Sequence, residues 1–476
     1  MFGQPGRERV HVVAQLDVAR LAALDQHRRP LGEVPGGVVE QARQRHRRDR
    51  VGRRDARRVA ADPRPGHGGR VGQLRRVGAL GGACHGAKGL REGGTSDRSR
   101  LPSRPSAPRT RRARPRPREA SVTSPPDAFE RSRRDVDAAL ETALGRLLPR
   151  LAALHPALGP AGDHLVTFLD GGKRVRPTLL LLGYAAGGGT DRSAVLGPAL
   201  ALELLHTCAL LHDDVIDRAP TRRGRPTVHH AVAATHRDRG WAGDALGYGE
   251  AVAILLGDLA FVQADELFLE AGVAPDALLA GFRRFTVLRE EVMAGQYLDL
   301  HAATARLTDR DLALAIATLK SGRYSVRRPL EIGASLAGAG PALVDGLGRV
   351  GEPLGVAFQL RDDLLGVFGD EVTTGKSVAG DLAEGKRTLL VAEAVARLSA
   401  AERDELEAGL GDPDLTPQRA ARLRDLLETS GARRATEDHL DAAVDAARAA
   451  LGDLGLPPAA AADLADVAHY LGARTT

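Results

Sequence analysis

The stretch "ALALELLHTCALLHDDVID", residues 199–217, decides the fold. Its apolar residues recur at three- and four-residue spacing and cover most of the circumference, so the helix they make belongs inside a bundle rather than on its surface. The same period runs through "DVDAALETALGRLLPRLAAL" (135–154), "AVAILLGDLAFVQADELFLE" (251–270) and "ARLRDLLETSGARRATEDHLDAAVDAARAALGDLG" (421–455). β-Branched alternation is scarce, and Gly/Pro clusters such as "AAGGGTDRS" and "GLPPAA" separate the segments. The reading is all-α: a large helical bundle.

The chain of 476 residues divides by charge. Residues 1–121 carry 29 Arg/Lys against 11 Asp/Glu, a net of +18, while residues 122–476 carry 38 against 50, a net of −12. The first part is basic and low in complexity, ends in "RLPSRPSAPRTRRARPRPREAS" and lacks a sustained apolar period, so it is expected to be disordered. Beyond Phe2 it has no aromatic side chain to stack on bases, which disfavours a nucleic-acid partner. With methionines only at 1 and 293 and a sharp compositional change at Val122, an over-extended gene start is the preferred reading of 1–121. Two cysteines, Cys84 and Cys208, imply no disulfide framework. No apolar run is expected to approach the roughly 20 residues of a membrane span, and a cytoplasmic protein is the expectation.

Within the helical part, Asp213 and Asp217 are four residues apart and fall on one face, with Asp214 about 100° away. Like charges on one helix face repel, and here they stand beside Leu211, Val215 and Ile216. A divalent cation resolves that conflict, since Mg²⁺ takes hard carboxylate oxygens together with phosphate oxygens. A second acidic pair, Asp362 and Asp363, lies in the apolar "FQLRDDLLGVFGD" (358–370), with Asp370 beyond. Cations gather at Lys173, Arg174, Arg176, Arg222, Arg223 and Arg225, and the helical part keeps only four lysines (173, 320, 376, 386) against 34 arginines. Acid walls with metal, facing a cationic shelf, suit the breaking of a C–O bond to diphosphate, with an apolar cavity sheltering the carbocation.

In order, "GGKRVRP" (171–177), "ELLHTCALLHDDVID" (203–217), "RRGRPTVH" (222–229), "AILLGD" (253–258), "GQYLDL" (295–300), "LKSGRYS" (319–325), "FQLRDDLLGVFGD" and "GKSVAGDLAEGKRT" (375–388) resemble the trans-polyprenyl diphosphate synthases, most closely the geranylgeranyl type. The resemblance implies the isoprenoid-synthase bundle with a central active-site cavity, a homodimer, and Mg²⁺, three ions per site with Mn²⁺ as a substitute. It implies that Asp213, Asp217 and Asp362 ligate metal, with Asp214, Asp363 and Lys320 also taking part in catalysis. Lys173, Arg176, His206 and Arg223 would hold isopentenyl diphosphate. Arg222, Lys320, Ser321, Gln359, Lys376 and Lys386 would contact the allylic diphosphate. Position 366 departs from the pattern: Gly stands where the second motif would have its last aspartate.

His212 reads as structural, Gln296 and Asp299 as scaffold, and Tyr324 and Phe358 as cavity lining. Leu205, Cys208 and Ala209 are read as setting product length: 208 and 209 are small, so the product is expected to be geranylgeranyl (C20) diphosphate or longer. Two other readings remain. A class I terpene cyclase shares the fold and the first motif, but would need a hydroxyl ligand where Gly366 stands. A non-catalytic subunit of a prenyl synthase would have lost acidic or cationic site residues.

Overall fold

Helix α4 (Leu196–Ile216) is the axis around which the chain is wound, and its inward residues Ala199, Ala201, Leu202 and Leu211 are buried. In this computed structural model the residues described are 125–369, 380–412 and 414–473. The expected boundary at 121/122, Cys84, Lys376 and Asp370 lie outside them. Before α4 come α1 (Asp127–Leu154), α2 (Gly159–Leu169) and α3 (Val175–Ala186). After it a short hairpin pairs β1 (Thr221–Arg222) with β2 (Arg225–Pro226), antiparallel. The turn is two residues long, Arg223 and Gly224, both at positive φ (52° and 72°), which is the tight geometry that fits the twist of paired strands.

The walls follow: α5 (Val228–Asp238), α6 (Ala245–Leu269), α7 (Pro275–Ala305) and α8 (Arg310–Ile316). The chain next widens into a π-helical segment, Ala317–Arg327, and tightens again into α9 (Arg328–Leu336). Long α10 (Pro341–Phe368) carries the second acidic pair, and α11 (Gly380–Ala383), α12 (Leu389–Val395), α13 (Ala400–Gly409), α14 (Pro417–Thr429), α15 (Ala432–Gly452) and α16 (Pro458–Ala473) complete the bundle. The all-helical expectation holds, and the continuous period of 421–455 is broken once, between α14 and α15 at Ser430–Gly431.

One apolar cluster joins α1, α3, α4, α6, α7 and α9 through Leu140, Leu181, Leu202, Ala264, Leu288 and Ile332. Where α6 meets α4 it presents the small residues Ala253, Gly257, Ala260 and Ala264, all buried, so those helices pack closely. Toward α7 it presents large ones instead: Phe268 stacks on Phe285 with centroids 4.9 Å apart, and Asp265 pairs with Arg289 at 2.7 Å. The expectation about apolar runs needs correction. Two segments, Arg192–Ile216 and Ala245–Leu269, are long and apolar enough to cross a membrane. The first is mostly buried inside the bundle, while the second is largely uncovered, with Leu255 66 % exposed.

Candidate active site

The last turn of α4 carries the first acidic group toward α7 and the π-helical segment. Asp213 accepts a hydrogen bond from the amide of Gln296 on α7 (2.9 Å) and lies 3.8 Å from Lys320 Nζ. Lys320 donates to Asp299, also on α7, at 2.5 Å. This contact requires backbones to meet: a Cβ on Gly295 would stand 2.3 Å from the Lys320 nitrogen. Burial disfavours the Lys320 charge, but Asp213 and Asp299 outweigh it and hold its pKa above the usual lysine value. Gln296 and Asp299 thus stand behind the first acidic group, orienting it. The π-helical winding brings Lys320 to the acids and, one turn later, Tyr324 and Ser325 to Arg176. Ser321 is half-buried.

Asp214 is turned inward, 1 % exposed, and accepts from Arg222 Nε at 2.6 Å, while its Oδ2 is buried without a partner. Arg222 also lies 3.9 Å from Asp213, so it is engaged by both acids. Arg174, counted above with the cationic set, is caged by Glu203 (2.6 Å), Asp137 (2.9 Å) and the Leu169 carbonyl, and this buried cation therefore serves the fold.

The cations that remain form a shelf. Arg176 lies over the Tyr324 ring (4.4 Å from guanidinium carbon to centroid) and donates to Ser325 at 2.8 Å. His206, two turns before Asp213 on α4, packs 6.1 Å from the Tyr324 ring. Burial and the guanidiniums of Arg176, Arg223, Arg222 and Arg174 push its pKa well below the ordinary value, so the imidazole is neutral. Burial and neighbouring Arg222 also lower the Arg223 pKa, a cation crowded by cations. Its guanidinium reaches to 3.9 Å from where a Cβ on Gly172 would be, which sets the hairpin against the 170–174 loop bearing exposed Lys173. Arg176 Nε, His206 Nδ1 and the Tyr324 hydroxyl are all buried without partners. Uncompensated donors and surplus positive charge mark an anion site.

On the opposite wall, α10 presents Asp362 half-buried and Asp363 buried, the latter accepting from Gln359 at 2.7 Å. Gln359 is therefore tied to an acid. Lys386 pairs with Asp381 (3.1 Å) and Glu384, and the charge of Asp217 also reaches it. Burial opposes its charge, but these acids hold its pKa well above the ordinary value, so Lys386 stands between the two acidic groups. Asp381 and Glu384 had escaped the sequence reading; the alternation of acid and lysine in "GDLAEGK" is the signal that could have found them. Of the residues read as setting product length, Ala209 is half-buried, while Leu205 and Cys208 belong to the core. Burial and Asp258 push the Cys208 thiol up to about 12, and its Sγ lies 3.9 Å from His212 Nδ1. His212 in turn contacts the Ile254 carbonyl (3.1 Å), a structural role.

The acids suit a divalent ion. Burial pushes Asp214 up to about 6 despite Arg222; burial and Asp213 push Asp217 up to about 7; burial, with Asp381 and Asp362, pushes Asp363 up to about 7. Among the described residues no three acidic, histidine or cysteine groups close around one point, so phosphate oxygens and water would have to complete the shell of a hard cation such as Mg²⁺. Carboxyls with folded pKa values above the unfolded value of about 3.9 bind more protons folded than unfolded between the two. The stability of the ion-free protein should therefore fall as pH rises from about 4 to 7 and level off above that. A cation needs them ionised, so its affinity should rise across the upper part of that window. The increase in melting temperature given by Mg²⁺ with inorganic pyrophosphate should be larger at pH 8 than at pH 6, and equal increases would mean that the ion does not meet these acids.

Residues 158–427 match the sequence model of the polyprenyl synthetase family. The chain is 35 % identical over 297 residues to the geranylfarnesyl diphosphate synthase of Aeropyrum pernix, covering 61 % of this chain and 86 % of that one. It is also 35 % identical over 256 residues to the short chain isoprenyl diphosphate synthase of Methanothermobacter thermautotrophicus, covering 53 % and 72 %. Its structure is similar to that of a geranylgeranyl pyrophosphate synthase from Corynebacterium glutamicum, solved with isoprenyl diphosphate and magnesium. That match has a TM-score of 0.70 and 36 % identity, over 73 % of this chain and 99 % of the other.

Proposed function

The chain belongs to the polyprenyl synthetase family and is a prenyltransferase, and from that premise we propose that it condenses isopentenyl diphosphate with allylic diphosphates to make geranylgeranyl diphosphate or a longer trans product. The observation that carries the reading is the pairing of acidic groups on α4 and α10 with a cationic shelf where Arg176 Nε, His206 Nδ1 and the Tyr324 hydroxyl are buried without partners. Arg176, neutral His206, Arg223 and Lys173 hold the isopentenyl diphosphate by its two phosphates. Asp213, Asp217 and Asp362 would hold Mg²⁺, in three ions per site, and Arg222, Lys320, Ser321 and Lys386 complete the cradle of the allylic diphosphate; Lys376 is assigned there by its motif alone. Bound Mg²⁺ supplies charge neutralisation as the allylic C–O bond breaks. The apolar walls of α4, α6 and α7 keep water from the cation while the double bond of isopentenyl diphosphate attacks it. The allylic diphosphate departs as pyrophosphate, a C–C bond forms, and a proton passes from the adjacent carbon to that pyrophosphate.

Relatives with product names differing in length support a short- to medium-chain product. Ala209, one turn before Asp213 and half-buried, leaves the tunnel open past a farnesyl tail. Phenylalanine there should shift the main product to a chain shorter by at least one isoprene unit, and an unchanged product would refute this placement of the tunnel. The apolar faces of α6 and α7 (Ile254, Leu255, Val262, Leu279, Met293 and Tyr297, all exposed) support a homodimer.

The test is chromatography of the products formed from isopentenyl diphosphate, Mg²⁺ and a series of allylic primers, with light scattering on the same preparation. Linear prenyl diphosphates from a particle of twice the chain mass are expected. Cyclic hydrocarbons would favour a cyclase, and no product from any primer would favour a non-catalytic subunit.

A further inference from the structure

The π-helical segment Ala317–Arg327 meets α7 and α10 backbone to backbone: a Cβ on Gly295 would stand 2.6 Å from the Lys320 Cα, and one on Gly322 3.0 Å from the Gly355 carbonyl carbon. At its far end three arginines and three glutamates close a ring of alternating charge. Arg323 donates to Glu291 (3.0 Å) and Glu352 (2.9 Å), and Arg327 to Glu352 and Glu331 (2.8 Å). Arg328 donates to Glu331 (2.5 Å) and Glu291 (2.6 Å). Each charge meets two of opposite sign, which offsets the cost of burying it. Glu352 and Glu331 are reached by spacings of three and four residues, which an α-helix also brings together. Glu291 is shared instead by Arg323 and Arg328, five apart, which α-winding would set about 140° from each other. The i→i+5 winding brings them round to one partner. On α7, Glu291, Gly295 and Asp299 follow at four-residue intervals and share one face. All three meet this segment: Glu291 at the two arginines, Gly295 at the Lys320 backbone, Asp299 at the Lys320 ammonium.

We propose that Glu291 is a positioning residue for both diphosphate sites: by clasping Arg323 and Arg328 it fixes the wide winding that sets Lys320 against Asp213 and Tyr324 beneath Arg176. The inference rests on the prenyltransferase reading above, in which Glu291 itself holds neither ion nor substrate. With the clasp open, the segment is free to tighten toward α-winding. Each residue given up by the wide turn then rotates Lys320 by about 100° relative to α9. One carboxylate on the far side of the segment thus governs two sites on its near side.

Steady-state kinetics of the full chain, with each substrate varied in turn and a thermal melt beside them, test this. Glu291→Gln is isosteric and leaves Arg323 and Arg328 a carboxylate each. It should lower kcat/KM for isopentenyl diphosphate and for the allylic primer together by about 10²-fold, the scale of a misplacement of about 1 Å. Arg328→Gln opens the same clasp from its other side and should reproduce the paired loss; it decides the matter if Glu291→Gln does not fold. Glu352→Gln removes the same charge from the ring but releases an i,i+4 pair, so both values should stay close to wild type. Wild-type values in Glu291→Gln would overturn the proposal, as would a loss confined to one substrate. An equal loss in Glu352→Gln would also overturn it, making the ring a general support of the fold. In each of these cases turnover by the wild type leaves the enzyme reading standing. No prenyl diphosphate from the wild type would overturn that reading, and the proposal with it.

Discussion

Asparagine at position 213 is expected to lower kcat by about 10³-fold or more while leaving the melting temperature unchanged. An ion at a developing diphosphate contributes several kcal/mol, and each 1.36 kcal/mol is tenfold in rate, so loss of one bound charge reaches this scale. The substitution is isosteric, and its side-chain oxygen can still accept from Gln296, which bonds Asp213 at 2.9 Å. What disappears is a negative charge that pushes the neighbouring Asp217 upward but also faces Lys320, so the two contributions to the fold offset each other. Single-turnover product formation beside a thermal melt separates the two effects. A rate within tenfold of wild type would remove Asp213 from the metal site.

Glutamine at position 176 should raise KM for isopentenyl diphosphate by about 10²-fold and leave KM for the allylic primer close to its original value. Charge-assisted contacts to an anion contribute about 1.5–3 kcal/mol, which corresponds to this range. Arg176 bonds Ser325 and lies over Tyr324, and no carboxylate among the described residues pairs with it. A desolvated cation without a counter-charge strains the free protein, so the variant should melt no lower than wild type. Steady-state kinetics with each substrate varied in turn decides it: a rise confined to the allylic primer would move Arg176 to the other diphosphate.

The first acidic group was legible because helical spacing alone puts Asp213 and Asp217 on one face, and Asp214 then turns inward by geometry. The apolar circumference of α4 likewise announced a central helix. The destination of each cation was not legible. Arg174 and Arg176 are two residues apart in one motif, yet one is caged by Glu203 and Asp137 from distant segments and the other is left for an anion. Only the packing of α1 and α4 decides between them. The π-helical winding at 317–327 also has no marker in the local period, since it arises from how the segment sits against α7 and α10.

Lys320 and Lys386 lend this site a thermodynamic property beyond recognition. Without metal they are the internal counter-ions of the two acid walls, bound to Asp299 and Asp213 in one case and to Asp381 and Glu384 in the other. An arriving divalent cation competes for those acids and frees ammonium groups, and each freed ammonium becomes available to a diphosphate. An arriving diphosphate draws the ammonium groups away and exposes acids to metal. The two ligands are therefore positively linked, and by reciprocity each tightens the other by the same factor. Each lysine is thus a counter-ion that the acids would exchange for metal while the diphosphate takes the ammonium.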